Sequence, residues 1–180
     1  MIVFTDAIGQ HHEFSDSPKR IVSMVPSTTE TLYKVGVGDR IVGVTRYCVH
    51  PSSAMQDNTI VGGTKQCNYE RIASLNPDVV FCNQEENTPE MVQTFQDMGI
   101  PVVVAFPKTH AEALNDIRDI CSLFDNPSQF TKWKAQFQSS ITTLPSTGFS
   151  YLYLIWRKPW MVAGPNTFIH EQLSLIGGQN

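Results

Sequence analysis

Arg20-Ile-Val-Ser-Met-Val-Pro-Ser-Thr-Thr-Glu30, followed after Gly36 by Arg40-Ile-Val-Gly-Val-Thr45, is the stretch on which the fold turns. The first six residues form a short apolar run, β-branched at its start and bounded by Pro18 and Pro26, which suits a strand buried in a parallel sheet. Ser27-Thr-Thr-Glu30 then has capping-box spacing: the Ser27 hydroxyl is placed to accept from the Glu30 amide, and the Glu30 carboxylate to accept from the Ser27 amide. A short helix through Val35 should stop at Gly36, which tolerates the left-handed conformation. Arg40–Thr45 reads as a second strand. Strand, capped helix and strand make, by default, a right-handed βαβ unit.

The rhythm continues downstream. Thr59–Gly62 is a brief strand, Asn68 caps a helix ended by Asn76-Pro77, and Asp78–Cys82 is a strand. Thr88-Pro89 opens a helix running to Gly99, and Ile100–Phe106 is a strand stopped by Pro107. Such alternation predicts an α/β layer with a mostly parallel sheet. Upstream, Val3-Phe4, the turn signal Asp6–Gly9 and a segment to Phe14 predict a hairpin. After Pro107 the texture changes. Thr109-His-Ala-Glu112 is a second capping box, and Asn126-Pro127 opens a longer helix. There Phe130, Trp133, Phe137, Ile141 and Leu144 recur at three- and four-residue steps, so one face should be buried. Two helices in succession set a lobe boundary. Pro145–Gly148 reads as a linker, Phe149–Trp156 as one aromatic-rich strand, Arg157–Pro159 as a turn and Thr167–Leu175 as a helix ended by Gly177-Gly178.

Composition narrows the function classes. In 180 residues, 41% hydrophobic and 17% charged, a packed core is expected. A formal net charge of -4 without a basic stripe speaks against nucleic acid or an anionic membrane as partner. No apolar run approaches the roughly 20 residues of a membrane-spanning helix. The opening MIVFTDAIGQHHEF lacks a basic segment followed by an apolar one, so it does not read as a signal peptide, leaving a cytoplasmic protein or a processed chain. Cys48, Cys67, Cys82 and Cys121 have irregular spacings and read as free, mostly buried thiols.

Several segments in order resemble the periplasmic binding proteins for iron-siderophores and cobalamin. They are Pro18–Glu30, Gly36–Thr45 with Tyr47 and Pro51, Val61-Gly-Gly63, Asn68–Val80, Thr167-Phe-Ile169 and Gly177–Asn180. The cobalamin receptors are the most similar group. The resemblance implies a bilobed α/β receptor: a Rossmann-like parallel-sheet N-lobe (residues 1–107), long connecting helices (108–145) and the start of an incomplete α/β C-lobe (146–180). It implies a ligand held between lobes, little hinge motion, no reaction and no cofactor. The ligand would be a metal chelate, with cobalamin or a related corrinoid ahead of ferric siderophore or haem. One surface carboxylate per lobe would dock arginines of an ABC transporter permease. Glu70 falls on the N-lobe position; on the C-lobe Glu171 is close, although Ser174 stands nearer. By the same resemblance the protein works in the periplasm or cell envelope, meeting the membrane only through the permease. Because the chain stops one βα unit into the second lobe, it is expected to be a truncated piece or an incomplete gene product.

Loops at the carboxyl ends of parallel strands are where open α/β sheets bind ligands. Here they hold Ser27, Tyr47-Cys48 with His50, Lys65 with Cys67, Cys82-Asn83 with Glu85, and Phe106 with Pro107-Lys108. The candidate ligand residues are therefore Tyr47, Cys48, His50, Lys65, Asn83 and Phe106. Trp156, Arg157 and Trp160 in the second lobe join them as stacking and anion-facing groups. The resemblance departs where tryptophans would cup a corrin: this chain has Thr64-Lys65 and Cys82-Asn83 instead. Three rim cysteines and a histidine have no ligand spacing, so no metal site is assigned. Adjacent strand residues point to opposite faces, so His11-His12 is not a chelating pair and reads as a solvated edge. His110 and His170 read as structural. Gly36-Val-Gly38 follows a helix and precedes a strand, the reverse of a dinucleotide motif. Ser27 lacks a GxSxG elbow, and no carboxylate pair has acid-base spacing, so no catalytic residue is assigned. The rival reading is a cytosolic metal-binding or sensing protein on the same scaffold.

Overall fold

The computed structural model describes residues 1–145 and 147–180; Ser146, within the linker expected at 145–148, lies outside the described residues. The chain forms two compact units, Met1–Phe106 with Ile117–Pro127, and Pro107–Asp116 with Ser128–Asn180.

In the first unit, β1 (Ile2–Thr5) and β2 (His11–Phe14) make the expected antiparallel hairpin. The reading of its two histidines holds only by half. His11 is exposed, but His12 is buried. It lies beside the rings of Phe4 and Phe14, with Nε2 3.0 Å from the Asp6 carboxylate. The correction has a simple cause: the hairpin is tied to the domain, with Ala7 donating to the Val104 carbonyl and the Val104 amide to Asp6. One of its faces is therefore a core face.

β3 (Ile21–Ser23) leads into α1 (Pro26–Val35), which ends at Gly36 with φ 94° as the sequence predicts. The capping box is not formed. Pro26 occupies the first turn and Val25 is the N-cap, without a side-chain bond, so Ser27 already has helical backbone and Glu30 pairs with Lys34 one turn on. A 3-10 turn (Gly38–Arg40) precedes β4 (Ile41–Thr45). Next come α2 (Ser53–Asp57), which the sequence reading did not anticipate, and β5 (Thr59–Gly62). Then α3 (Tyr69–Ser74), β6 (Val79–Asn83), α4 (Pro89–Asp97) and β7 (Val102–Ala105) complete the α/β layer. The expected caps are present: Asn68 accepts from the Arg71 amide and Thr88 from the Met91 amide.

All five central strands run parallel, in the order β5-β4-β3-β6-β7. The chain winds outward from β3 to β5, then returns to the other side of β3, so the order reverses between β3 and β6. In such sheets the crevice beyond the strand carboxyl ends at the reversal is the natural ligand position. The core sits on this sheet, where Val22, Met24, Val61, Ile72, Val80, Phe95 and Val102 are fully enclosed. Each such side chain contributes about 1.5–3 kcal/mol over exposure.

α5 (His110–Leu123) opens with the predicted capping box: the Glu112 amide donates to Thr109, and the Glu112 carboxylate accepts from the amides of Lys108 and Thr109. α6 (Pro127–Thr142) carries the aromatic stripe, but Phe130, Trp133, Phe137 and Ile141 are only half-buried, and Leu144 lies past its end, exposed. The single strand read at Phe149–Trp156 is two. β8 (Phe149–Ser150) pairs parallel with β11 (Gly178–Gln179), whereas β9 (Leu154–Trp156) pairs antiparallel with β10 (Met161–Val162). Two partners on different strands require the break. α7 (Phe168–Ser174) is capped by Thr167. Among the described residues no helix is long and apolar enough to cross a membrane.

Candidate ligand-binding rim

The loops after β4, β5 and β6 build one rim of the first unit. Backbone pairing joins two of them: the Arg46 amide donates to the Gly62 carbonyl at 2.8 Å, and the Gly63 amide to Gln66 at 2.7 Å. Gly62 has φ 133°, which L side chains rarely adopt, and a β-carbon on it would stand 2.7 Å from the Cys67 backbone. The next residue supports the rim directly: a β-carbon on Gly63 would lie 3.3 Å from the Tyr47 ring. That ring is 54% exposed, so it offers an aromatic face to solvent.

The third loop is joined by Asn87, which donates to the Thr64 carbonyl at 2.9 Å and accepts from the Asn83 amide at 2.8 Å. The Lys65 ammonium bonds the Glu85 carbonyl, and the Asn83 side chain accepts from the amides of Glu85 and Glu86. The structure thus brings Tyr47, Lys65 and Asn83 onto interlocked loops. His50 is exposed, and Phe106 is half-buried after β7.

Cys48 does not belong on the rim. It is fully enclosed, its sulfur 3.1 Å from the Thr29 hydroxyl and 3.2 Å from that of Thr45, with Thr29 also 2.8 Å from Ser23. The chain turns inward after Tyr47 and uses the thiol as a small core group satisfying buried hydroxyls. Cys82 is likewise buried and Cys67 half-buried. Desolvation pushes both thiols up, against which a Tyr69 hydrogen bond lowers Cys67; neither is a ready thiolate. Among the described residues no group of three or more His, Cys, Asp or Glu is arranged to hold a metal ion.

In the second unit, Trp156 and Trp160 are 64% and 66% exposed. Arg157 lies over the Trp160 ring, 6.0 Å from its centroid, and the Trp156 indole donates to the Lys158 carbonyl. Glu70 stands exposed in the first turn of α3. Glu171 differs, because its carboxylate is engaged by His110 Nδ1 at 3.1 Å. The His110 ring packs against Phe137 and Phe168, and its Nε2 is buried without a hydrogen-bond partner. Ser174 is exposed.

A groove of about 420 Å³ opens elsewhere, between β1 and α5. Ile2–Thr5, Arg118, Asp119 and Ser122 line it, and none of the predicted ligand residues does. Sequence reasoning missed one rim residue, Arg46, whose Nε would lie 3.9 Å from a β-carbon on Gly63. The signal was available, since Arg46 is the first residue after β4, directly before Tyr47.

Comparison with known proteins agrees with this architecture. The family model described as periplasmic binding protein matches residues 21–180. A vitamin B12-binding protein of Vibrio campbellii is 25% identical over 185 residues, covering 99% of this chain and 65% of the relative. The crystal structure of the periplasmic vitamin B12 binding protein BtuF of Vibrio cholerae superposes with a TM-score of 0.77 at 25% identity, covering 91% of this chain and 66% of that one. The periplasmic haem-binding protein RhuT from Roseiflexus sp. RS-1 gives 0.74 at 25% identity, covering 90% and 65%. The chain spans just under two thirds of the length of these relatives.

Proposed function

The chain belongs to the periplasmic binding protein family, and from that premise we propose that it is the substrate-binding component of an ABC importer for a metal chelate. The cargo is a corrinoid, haem or ferric siderophore, and the work is capture and delivery to a permease rather than catalysis. One observation carries the reading: an exposed aromatic ring, Tyr47, rests on a glycine turn at the carboxyl rim of a parallel sheet whose strand order reverses. Such a rim binds by apolar contact with a few fixed polar groups. Tyr47 supplies a stacking face. His50, Lys65 and Phe106, on the loops after β4, β5 and β7, and Asn83, the last residue of β6, are the further ligand contacts of this reading. For the second unit, considered by itself, Trp156, Trp160 and Arg157 are the ligand residues of this reading. Glu70 is the permease-docking carboxylate, free to make charge-assisted bonds to arginine. Glu171 could serve the same end only by leaving His110. The proposed place of work is the periplasm or cell envelope.

The test is a titration of the protein with cyanocobalamin, cobinamide, ferric protoporphyrin IX and a panel of ferric siderophores, followed by tryptophan quenching. Saturable binding of one class at about micromolar or tighter dissociation constant is expected, as is its weakening by Tyr47→Ala. Absence of saturable binding across the panel would remove the receptor reading.

A further inference from the structure

We propose that Arg46, assisted by Lys65, makes this rim select chelates that carry anionic groups beside a flat face. The inference rests on the receptor reading above and specifies its ligand. Arg46 and Tyr47 leave β4 together and share one support. The Arg46 amide and Nε both point to the Gly62 carbonyl, at 2.8 and 3.5 Å, which anchors the side chain at its branch. Gly63 beneath has no side chain, and a β-carbon there would approach both the Tyr47 ring and Arg46 Nε. A guanidinium and an exposed phenol ring are thus carried side by side on one glycine turn.

Among the described residues, the charge of Arg46 has no carboxylate partner. Neither Arg46 nor Lys65 takes part in the ion pairs His12–Asp6, Lys34–Glu30, His110–Glu171 and Arg118–Asp119. Arg46 is exposed, and among the described residues Lys65 is met by a backbone carbonyl, a neutral acceptor. In a chain of net charge -4 this is a local feature, not part of a general basic surface. Glu85 and Glu86 lie on the β6 loop that Lys65 bonds, so the surroundings of Lys65 are not uniformly basic. The selective group is therefore Arg46, the cation adjoining the aromatic face. A guanidinium offers a planar fork of donors that matches carboxylate or phosphate oxygens bidentately, which an ammonium does not.

Three ligand pairs differing in peripheral charge test the idea: ferric protoporphyrin IX against its dimethyl ester, a cobalamin monocarboxylic acid against cyanocobalamin, and a ferric tricatecholate against a neutral ferric trihydroxamate. The pairs also separate the sources of the anionic group. The protein should bind the charged member of at least one pair about tenfold more tightly. Arg46→Gln should close that gap while leaving the neutral member unchanged, and Arg46→Lys should restore part of it. Raising salt should weaken only the charged member. Equal binding of both members in every pair, or an Arg46→Gln variant that weakens both alike, overturns the proposal and leaves the receptor reading standing. Failure of all six ligands to bind overturns both. Unchanged thermal melting of Arg46→Gln, expected for an exposed side chain, shows that a lost preference is not lost folding.

Discussion

The two units divide the work of folding unequally. Among the described residues, every fully buried apolar side chain but Ala163 lies in the first unit. The second unit instead exposes Leu152, Tyr153, Leu154, Ile155, Trp156, Trp160, Met161 and Val162 along one short hairpin. A parallel sheet covered by helices buries its strands on both faces, whereas β9 and β10 have a single partner each and no covered face. Apolar composition alone therefore does not make a core; it needs a layer to close on.

The largest test of this contrast is a pair of truncations. Phe95 is fully enclosed against the sheet and meets the Tyr69 ring edge-on with centroids 5.5 Å apart, so Phe95→Ala should cost about 3–5 kcal/mol in urea denaturation. Trp156→Ala, although it removes a larger ring, should cost less than about 0.5 kcal/mol because that ring is mostly in water. Comparable costs would break the comparison.

Next in size is the hairpin latch of the first unit. The Asp6 carboxylate accepts from the amides of Ile8, Gln10 and Val104 and meets His12. Burial raises its pKa, but the His12 contact and the amides together outweigh burial and hold it below the ordinary value. A folded pKa below the unfolded one means stability that is present above about pH 4 and lost as pH falls through the lowered value. Asp6→Asn should therefore cost about 1–3 kcal/mol at neutral pH and flatten the acid limb of the stability curve. An unchanged acid limb would show that the latch is not coupled to global unfolding.

The same contrast explains what was legible in the sequence. The α/β rhythm, the caps at Asn68, Thr88 and Thr109, and the stop at Gly36 were all readable, because buried strands and helix ends are set by local chemistry. Ser27 was misread because Pro26 starts α1 one residue earlier, so local cap grammar lost to proline geometry. His12 and Cys48 were misread for a different reason: each is buried by a long-range contact, with Asp6 and Val104 holding the hairpin down and Thr29 meeting the thiol. The break between β8 and β9 follows from pairing with β11 and β10, and no single strand pattern encodes its partners. The βα order placed the loops after β4, β5 and β6, while Ser27 falls inside α1 and Cys82 inside β6. Arg46 was passed over although it directly precedes Tyr47 just past the end of β4; its shared support on Gly63, seventeen positions on, is a long-range contact.

The smallest expected effect separates the units most sharply. Asn68 caps α3 through the Arg71 amide at 2.8 Å, and Thr167 caps α7 through the His170 amide at 3.2 Å. Removing either oxygen by alanine leaves one helix-end donor unmet, worth about 1 kcal/mol. α3 holds the enclosed Ile72 in the core of the first unit, so Asn68→Ala should appear as a shift of the whole denaturation midpoint. α7 buries no side chain fully, so Thr167→Ala should leave that midpoint in place and instead speed amide exchange within α7. If Thr167→Ala moves the global midpoint as far as Asn68→Ala does, the two units unfold together, and the asymmetry in burial has no energetic counterpart.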